Sequence, residues 1–382
     1  MASIPSDENI GLTQFSYSLF TELATFQDGN LFASPYSIQL LLLLLAFGSK
    51  GNTSKSLMPA LRISKENLKK INNSSNLHEA LFNIQDTEFL NIANGIFVDE
   101  AFPLNKEFEN IGRNYLNSEV KNVDFFGNFS ASGFNAWTSN FTNGKITKLI
   151  KTDTFPQETM LVLTSIVNFK NDWEKEFVES KMGRFCLSST NHIQANMMHL
   201  TEYFPYYKDE KNKFAAIELP YNGGDFQMLV VLPDVMDGII ALEQSFLRDP
   251  TNFNALLGKL ETHKVVLTLP KFKFESDLDL ETAIRNLCCV DIFTSHAELS
   301  GIYLNGPRNL KVSEIVHKSF IEVNEKGTEA FRVTGAANVT EVSNPPSNNT
   351  NTVNFKACHP FLFFIKQNSK IIFMGRLANP NA

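Results

Sequence analysis

The residue types that most often carry chemistry are sparse in this chain and are not spaced like a reactive site. Two histidines, His192 and His199, flank a pair of methionines, but no acidic residue stands at a spacing that would complete a metal site. Four acidic residues alternate further along the chain: Glu275, Asp277, Asp279 and Glu281. They are typical of a solvated turn and a helix start, where carboxylates complement the helix dipole. We therefore predict no metal ion at either place.

No short motif of an established catalytic chemistry is present. The chain contains no Gly-x-Ser-x-Gly nucleophile elbow, no phosphate-binding loop and no dinucleotide fingerprint. Nothing in the sequence assembles a nucleophile, a base and an oxyanion hole. We predict that the protein is not an enzyme and that it needs no cofactor.

The cysteines and the N-terminus bear on the compartment. The four cysteines are Cys186, Cys288, Cys289 and Cys358. Their spacing does not suit a metal, and adjacent cysteines can hardly bridge each other in regular structure, so free thiols and a reducing compartment are consistent with the pattern. The N-terminus lacks the basic start and apolar core of a secretory signal. We expect a cytoplasmic protein, or one that is exported without a cleaved signal; an extracellular location is the alternative.

Composition and charge exclude further classes. The 382 residues carry a net charge of −7 without a dominant basic run, so nucleic acid is not an expected partner. The most apolar stretch, residues 40–47, is much shorter than the roughly 20 residues that a membrane-spanning helix needs. No linker divides the chain. We predict one domain over residues 1–382, without a membrane span, and a monomer.

The periodicity of apolar residues predicts helices mostly in the first half of the chain and strands mostly in the second. The predicted helices cover residues 10–26, 36–47, 53–61, 66–84, 106–116, 130–142, part of 239–260, and 279–287. The predicted strands lie within residues 31–33, 89–98, 159–169, 197–207, 214–233, 264–274, 311–323, 354–365 and 370–375. This arrangement favours an α+β fold over a doubly wound sheet.

The most unusual segment lies between two predicted strands near the C-terminus. Residues 323–330 read as a strand that runs into a hinge of small residues. More than twenty residues, rich in Gly, Ala, Asn, Ser and Pro, separate this hinge from the apolar strand at 359–365. A connection of that length in a compact domain is normally either disordered or functional, and we predict that this one is functional.

The same segment carries a family resemblance. Residues 317–330 and 359–365 resemble the serpins, and matching blocks follow in order over essentially the whole chain. The other blocks are residues 30–38, 48–53, 91–94, 135–137, 142–146, 169–174, 218–221, 232–233, 269–272 and 373–376. Each block is weak alone, and their common order makes the resemblance strong.

The resemblance implies the serpin fold, with three β-sheets, about eight or nine helices and an exposed reactive-centre loop, here about residues 325–353. It also implies a metastable protein that acts by suicide inhibition. A protease cleaves the loop and is held as an acyl-enzyme, and the loop then inserts as an extra strand in the central sheet, which distorts the protease.

The resemblance assigns roles to particular residues. The hinge is assigned to Glu325, Gly327, Thr328, Glu329 and Ala330. Lys271 is expected to pair with Glu325 at the top of the central sheet, beside Trp173. A polar cluster under the opening point of the sheet, the shutter, is assigned to Ser34, Ser37, Ser165 and His317. The family usually has Asn where Ser165 stands, so we expect a looser shutter.

The hinge departs from the family pattern after Ala330, where Phe331 and Arg332 replace small residues. Because side chains alternate across a strand, Thr328 and Arg332 would share the face that packs under a covering helix. Burying an unpaired Arg costs on the order of several kcal/mol, which favours slow insertion. A non-inhibitory serpin that acts as a carrier or binding protein is therefore an alternative, as is cross-class inhibition of a cysteine protease.

The position of the reactive bond follows from the loop. Counting the family's usual loop length from Glu325 places the bond after Glu341, whereas aligning the proline pair places it after Val342. No Lys or Arg lies between Arg332 and Lys356, which disfavours trypsin-like enzymes. We expect the partner to be a serine-type protease with an elastase-like or acidic preference.

Overall fold

The structure is a computed structural model that describes residues 7–62, 89–127, 131–142, 144, 147–150, 155–287, 290–305, 309–329 and 352–382. The helix predicted over residues 66–84 lies outside the described residues. Among the described residues, no helix combines the length and the apolar character that crossing a membrane requires.

Eight α-helices occur in the described part of the chain. They are α1 (Asp7–Thr25), α2 (Pro35–Phe47), α3 (Gly51–Ala60), α4 (Lys106–Asn110), α5 (Ala131–Phe141), α6 (Ile239–Phe246), α7 (Thr251–Leu257) and α8 (Leu280–Leu287). A π-helical turn, Ile111–Tyr115, continues α4, and a 3₁₀ helix, Val290–Phe293, follows α8. The helical pattern predicted over residues 239–260 is thus two short helices.

Helix α2 lies at the centre of the molecule, as its apolar character predicts. Twelve of its 13 residues are buried. Ser34 caps its N-terminus by accepting a hydrogen bond from the Ser37 N–H, and Pro35 occupies the first turn, where its missing donor is not needed. A helix that is apolar on all sides is stable only when it is surrounded by other elements.

The described residues form fifteen strands. These are β1 (Leu31–Ala33), β2 (Leu90–Asp99), β3 (Ser118–Val123), β4 (Leu161–Asp172), β5 (Glu179–Cys186), β6 (His192–Asp209), β7 (Phe214–Pro220), β8 (Phe226–Pro233), β9 (Glu261–Pro270), β10 (Phe272–Asp277), β11 (Glu314–Val323), β12 (Gly327–Glu329), β13 (Val353–Lys356), β14 (Phe361–Gln367) and β15 (Lys370–Leu377). Strands β3 and β5 were not among the predicted strands.

The strands assemble into two hydrogen-bonded sheets. The smaller sheet has six strands in the order β10-β11-β12-β4-β2-β3. The larger has nine, in the order β1-β15-β14-β8-β7-β6-β9-β13, with β5 paired to β6. The 18-residue strand β6 pairs with β7 near its end and with β5 and β9 before that, so it joins what would otherwise be two sheets. The α+β class is confirmed.

The six-stranded sheet has two buried faces. Alternate residues of β4, including Leu163 and Val167, face the main core that also contains α2. The intervening residues, including Val162 and Ile166, face a second cluster that contains Phe134 of α5. Because both faces are covered, Leu, Val and Ile dominate the first part of β4, and this pattern predicts a buried strand.

Candidate functional site: the opening of the six-stranded sheet

The six-stranded sheet is open at one end, and a short strand fills the opening. Over their first residues β4 and β11 pair directly and in parallel, with Val162–Val167 beside Glu314–Ser319. Towards the other end the two strands separate, and β12 lies between them, antiparallel to both. The hinge residues Gly327 and Thr328 and the backbone of Glu329 are therefore already part of the sheet.

Gly327 is placed where no larger residue fits. A Cβ atom added to it would lie 2.4 Å from the carbonyl oxygen of Asn171 and 2.6 Å from the Cα of Asp172. Both are backbone atoms, so a side-chain rotation cannot relieve the contact. The close approach of β12 to β4 thus requires glycine at this position.

Thr328 faces the interior between the two sheets. Its side chain is 2% exposed, and its hydroxyl lies 2.6 Å from the Tyr221 hydroxyl, which is also buried. The expectation that Thr328 packs under a covering helix is therefore wrong. The alternation of β4 explains the correction, because Thr328 stands opposite Asn171, on the side of β4 that faces the main core.

Trp173 holds the chain just before the hinge. Its indole Nε1 donates a hydrogen bond to the Asn324 carbonyl at 2.9 Å, and its backbone N–H donates to the Lys326 carbonyl at 2.7 Å. Its ring stacks on Tyr221 with a centroid separation of 4.4 Å. A single buried aromatic thus connects the end of β4, the turn before β12 and the partner of Thr328.

An ion pair and a set of side-chain hydrogen bonds stabilise the turn that leads into β12. Lys271 Nζ lies 3.1 Å from Glu325 Oε2, with both side chains partly exposed. Burial acts to raise the pKa of Glu325, but hydrogen bonds from its own backbone and from Lys271 outweigh it and lower the pKa. The Asn324 side-chain oxygen accepts hydrogen bonds from the N–H groups of Lys326, at 2.9 Å, and Gly327, at 3.3 Å.

A polar cluster lies in the core where β4 and β11 meet. Ser37 of α2 and Ser165 of β4 have their hydroxyls 2.8 Å apart, and both residues are fully buried. Asn94 of β2 donates from Nδ2 to the Ser37 carbonyl at 3.0 Å. Ser165 stands opposite Asn94 on one side and His317 on the other. The cluster therefore joins three strands to the central helix.

His317 is the titratable member of this cluster. Its Nε2 atom is placed to accept a hydrogen bond from the Ser34 N–H at 3.4 Å. Burial lowers the pKa of His317 from 6.5 to about 4, and a hydrogen bond with the Ser165 backbone opposes that effect only in part. The ring is neutral at physiological pH, since a charged imidazolium would be costly in this surrounding.

Sequence reasoning missed three residues of the site: Asn94, Tyr221 and Asn324. Asn94 and Tyr221 fall within blocks that carry the family resemblance, and Asn324 directly precedes the hinge, but no spacing pattern marks a residue whose partners come from distant strands. The assigned residues Ala330, Glu341 and Val342 lie outside the described residues, as do Phe331 and Arg332. In the described part of the chain, no group of three or more His, Cys, Asp or Glu residues is placed to hold a metal.

The geometry defines a class of protein in which a short strand lies between two strands that pair directly with each other further along the sheet. A family model described as serpin, serine protease inhibitor, matches residues 11–380. The chain is 32% identical to human Serpin B3, covering 96% of this chain and 98% of that protein. It is 31% identical to the leukocyte elastase inhibitor of Sus scrofa, with the same coverage. The chain belongs to the serpin family.

A solved structure supports the fold assignment. The insect serpin Serpin48 from Tenebrio molitor superposes with a TM-score of 0.84 at 29% identity, covering 99% of this chain and 100% of that one. The serpin fold that the sequence blocks implied is confirmed.

Proposed function

We propose that this serpin is a suicide inhibitor of serine proteases, in which the loop is cleaved near Glu341 and Val342 and then inserts into the six-stranded sheet. The observation that carries the proposal is the position of β12. The loop begins inside the gap between β4 and β11, with its backbone paired on both sides. Insertion would therefore extend an existing strand and needs no new nucleation.

The register of β12 specifies where the following residues would go. Gly327 lies opposite Asp172 and Thr328 opposite Val323, and each further residue moves one place back along both partners. Continued insertion would bring Thr334 level with Ser165 and His317, which are themselves paired. Thr334 would then add a polar side chain to the buried polar cluster, and the direct β4–β11 hydrogen bonds would be replaced by bonds to the new strand.

The target preference follows from the loop sequence and from the relatives. The residues around the proposed bond are Glu341 and Val342, and no Lys or Arg lies between Arg332 and Lys356. One relative at 31% identity is a leukocyte elastase inhibitor. An elastase-like serine protease, or one that prefers an acidic residue, is the partner that we propose, with the serpin acting as a monomer.

The test is to incubate the protein with elastase-like, chymotrypsin-like and acid-preferring serine proteases and with a cysteine protease. We expect a covalent complex that survives SDS with at least one serine protease, and mass spectrometry of the released fragment should locate the cleaved bond at 341 or 342. Thr328→Arg is the matched control, because an arginine cannot occupy this buried position beside Tyr221. It should give cleavage without a complex. Cleavage of the unaltered protein by every enzyme, without any complex, would refute inhibition.

A second function, that of a non-inhibitory carrier or binding protein, is favoured by one feature. In the continued register Arg332 would come opposite Val167 and Ser319, which are 3% and 1% exposed and belong to the core-facing side of their strands. A charged side chain in that place opposes insertion. Melting temperatures before and after loop cleavage distinguish the two functions: a chain that does not insert its loop gains no stability on cleavage.

A further inference from the structure

Two free cysteines are neighbours in space at the end of strand β5 in the larger sheet. Cys186 is the last residue of β5 and is 3% exposed, whereas Cys358, between β13 and β14, is partly exposed. The backbone N–H of Cys186 donates a hydrogen bond to the Cys358 carbonyl at 2.8 Å. The two residues are thus in direct contact although 172 positions separate them in the sequence.

This contact brings the two residues within reach of a disulfide. With the Cys186 nitrogen 2.8 Å from the Cys358 carbonyl oxygen, standard backbone dimensions limit the Cα separation to about 6.7 Å, and disulfides span about 4.4 to 6.8 Å. The thiols also affect each other electrostatically. Burial, followed by the Cys186 thiol, raises the pKa of Cys358, whereas its own backbone N–H, Lys356 and Arg184 act to lower it. Cys358 is therefore mostly a neutral thiol at physiological pH.

We propose that Cys186 and Cys358 form a reversible disulfide, with a small disulfide such as oxidised glutathione as the oxidant. The Cys358 thiolate, which is the more accessible, attacks one glutathione sulfur, forms a mixed disulfide and releases one glutathione thiolate. Cys186 loses its proton and attacks the Cys358 sulfur, which releases the second glutathione. Two protein thiols are oxidised, and one glutathione disulfide is reduced to two glutathione molecules.

The bond would fix the base of the long loop on its C-terminal side. Strand β13 directly follows the loop, and β9 is its hydrogen-bonded neighbour in the described part of the sheet. The next anchor is the Ala357 N–H, which donates to the Thr268 carbonyl at 2.9 Å. A disulfide at Cys358 ties the segment after β13 to the end of β5. The four-residue strand β13 ends at Lys356, so the disulfide would add a covalent link two residues beyond its C-terminal end.

The experiment uses the full-length protein, treated with oxidised glutathione or kept reduced. Peptide mapping should find a single crosslink between the peptides of Cys186 and Cys358, with a mass lower by two hydrogen atoms. In the oxidised sample the amides of Val353–Lys356 should exchange with deuterium about tenfold more slowly, because opening of β13 now works against a covalent tether. Reduction should restore the original exchange.

Two variants separate this pair from the remaining thiols. The double variant Cys288→Ser with Cys289→Ser should keep both the crosslink and the slowed exchange. Cys186→Ser should stop the reaction at the mixed disulfide, with one glutathione on Cys358. The proposal is overturned if mapping joins any other pair of cysteines, if Cys186 remains alkylatable after oxidation, or if the exchange of β13 is the same in both samples.

Discussion

At the scale of single residues, two close contacts hold β12 in the sheet. The first is the approach of Gly327 to the backbone of β4. In the Gly327→Ala variant the new Cβ would clash with the backbone of β4, 2.4 Å from the Asn171 oxygen. We expect β12 to leave the sheet, which hydrogen exchange of residues 327–329 would register as a loss of protection. Gly29→Ala is the matched control, since nothing lies within 4 Å of its added Cβ. Unchanged protection in Gly327→Ala would contradict the assigned role.

The second contact is the pair of buried hydroxyls of Tyr221 and Thr328. Tyr221→Phe leaves the Thr328 hydroxyl buried without this partner, which should cost about 1–3 kcal/mol of the free energy that keeps β12 in the sheet. Thr328→Val should have a similar effect. The double variant should cost less than the sum of the two, because no unpaired hydroxyl remains. Exchange of the β12 amides measures each opening free energy, and strictly additive effects would show that the two hydroxyls do not interact.

The buried His317 predicts a dependence of stability on pH. Its pKa is lowered to about 4 in the folded protein, whereas an unfolded histidine titrates near 6.5. The unfolded chain therefore binds the proton more readily, so the contribution is fully present above about pH 6.5 and is lost as the pH falls towards 4. The loss should reach roughly 3 kcal/mol.

Urea unfolding at pH 7.5 and pH 4.5 tests this dependence. His317→Gln keeps a polar side chain but cannot titrate, so its stability should fall less over the same interval. His359 must be treated separately, because burial lowers its pKa too and its effect has the same sign. The His317 contribution is the difference between the parent and His317→Gln. Equal pH slopes for the two proteins would exclude it.

At the scale of elements, the gap between β4 and β11 predicts a gain of stability on cleavage. Insertion adds hydrogen bonds on both sides of a new central strand, in exchange for the parallel pairing of Val162–Val167 with Glu314–Ser319. We expect the melting temperature of the cleaved protein to rise well above that of the intact protein. Ser165→Asn, which introduces the residue usual in the family, is a second probe. The substitution enlarges a side chain that already contacts Ser37. We expect it to change the rate of loop insertion more than the final increase in melting temperature.

The elements differ in how far the sequence could predict them. Helix α2 and the first part of strand β4 are mostly apolar and buried, so the sequence alone indicates both elements. Strand β5 was missed because six of its eight residues are not buried, so it has no apolar pattern. The three residues of β12 were read as a hinge. Their strand conformation depends on β4 and β11, which are distant in the sequence, and local propensity cannot show it.

At the scale of the whole molecule, the residues of the candidate site come together because two sheets and α2 share one core. The hinge contacts Tyr221, which follows β7 of the larger sheet, while the buried polar cluster belongs to α2 and the smaller sheet. The resemblance gave the assignments of Trp173, Lys271 and His317, whose partners could not be derived from spacing. The predicted orientation of Thr328 is wrong because only the packing of the two sheets decides which face of the smaller sheet is interior.

The same packing predicts that Arg332 sets the balance between the proposed inhibition and simple cleavage. If insertion follows the register of β12, its side chain enters the core between Val167 and Ser319 before the acyl-enzyme has hydrolysed. Each 1.4 kcal/mol or so that is added to the insertion barrier slows insertion about tenfold, and a slow loop releases an active protease.

Arg332→Ala should therefore lower the number of serpin molecules consumed per protease trapped, by at least several-fold, in titrations against the protease that forms the SDS-stable complex. Arg332→Lys retains the charge and should behave like the parent. If Arg332→Ala consumes as many molecules as the parent while still forming the complex, the arginine does not limit insertion, and the face assigned to it from the register of β12 is incorrect.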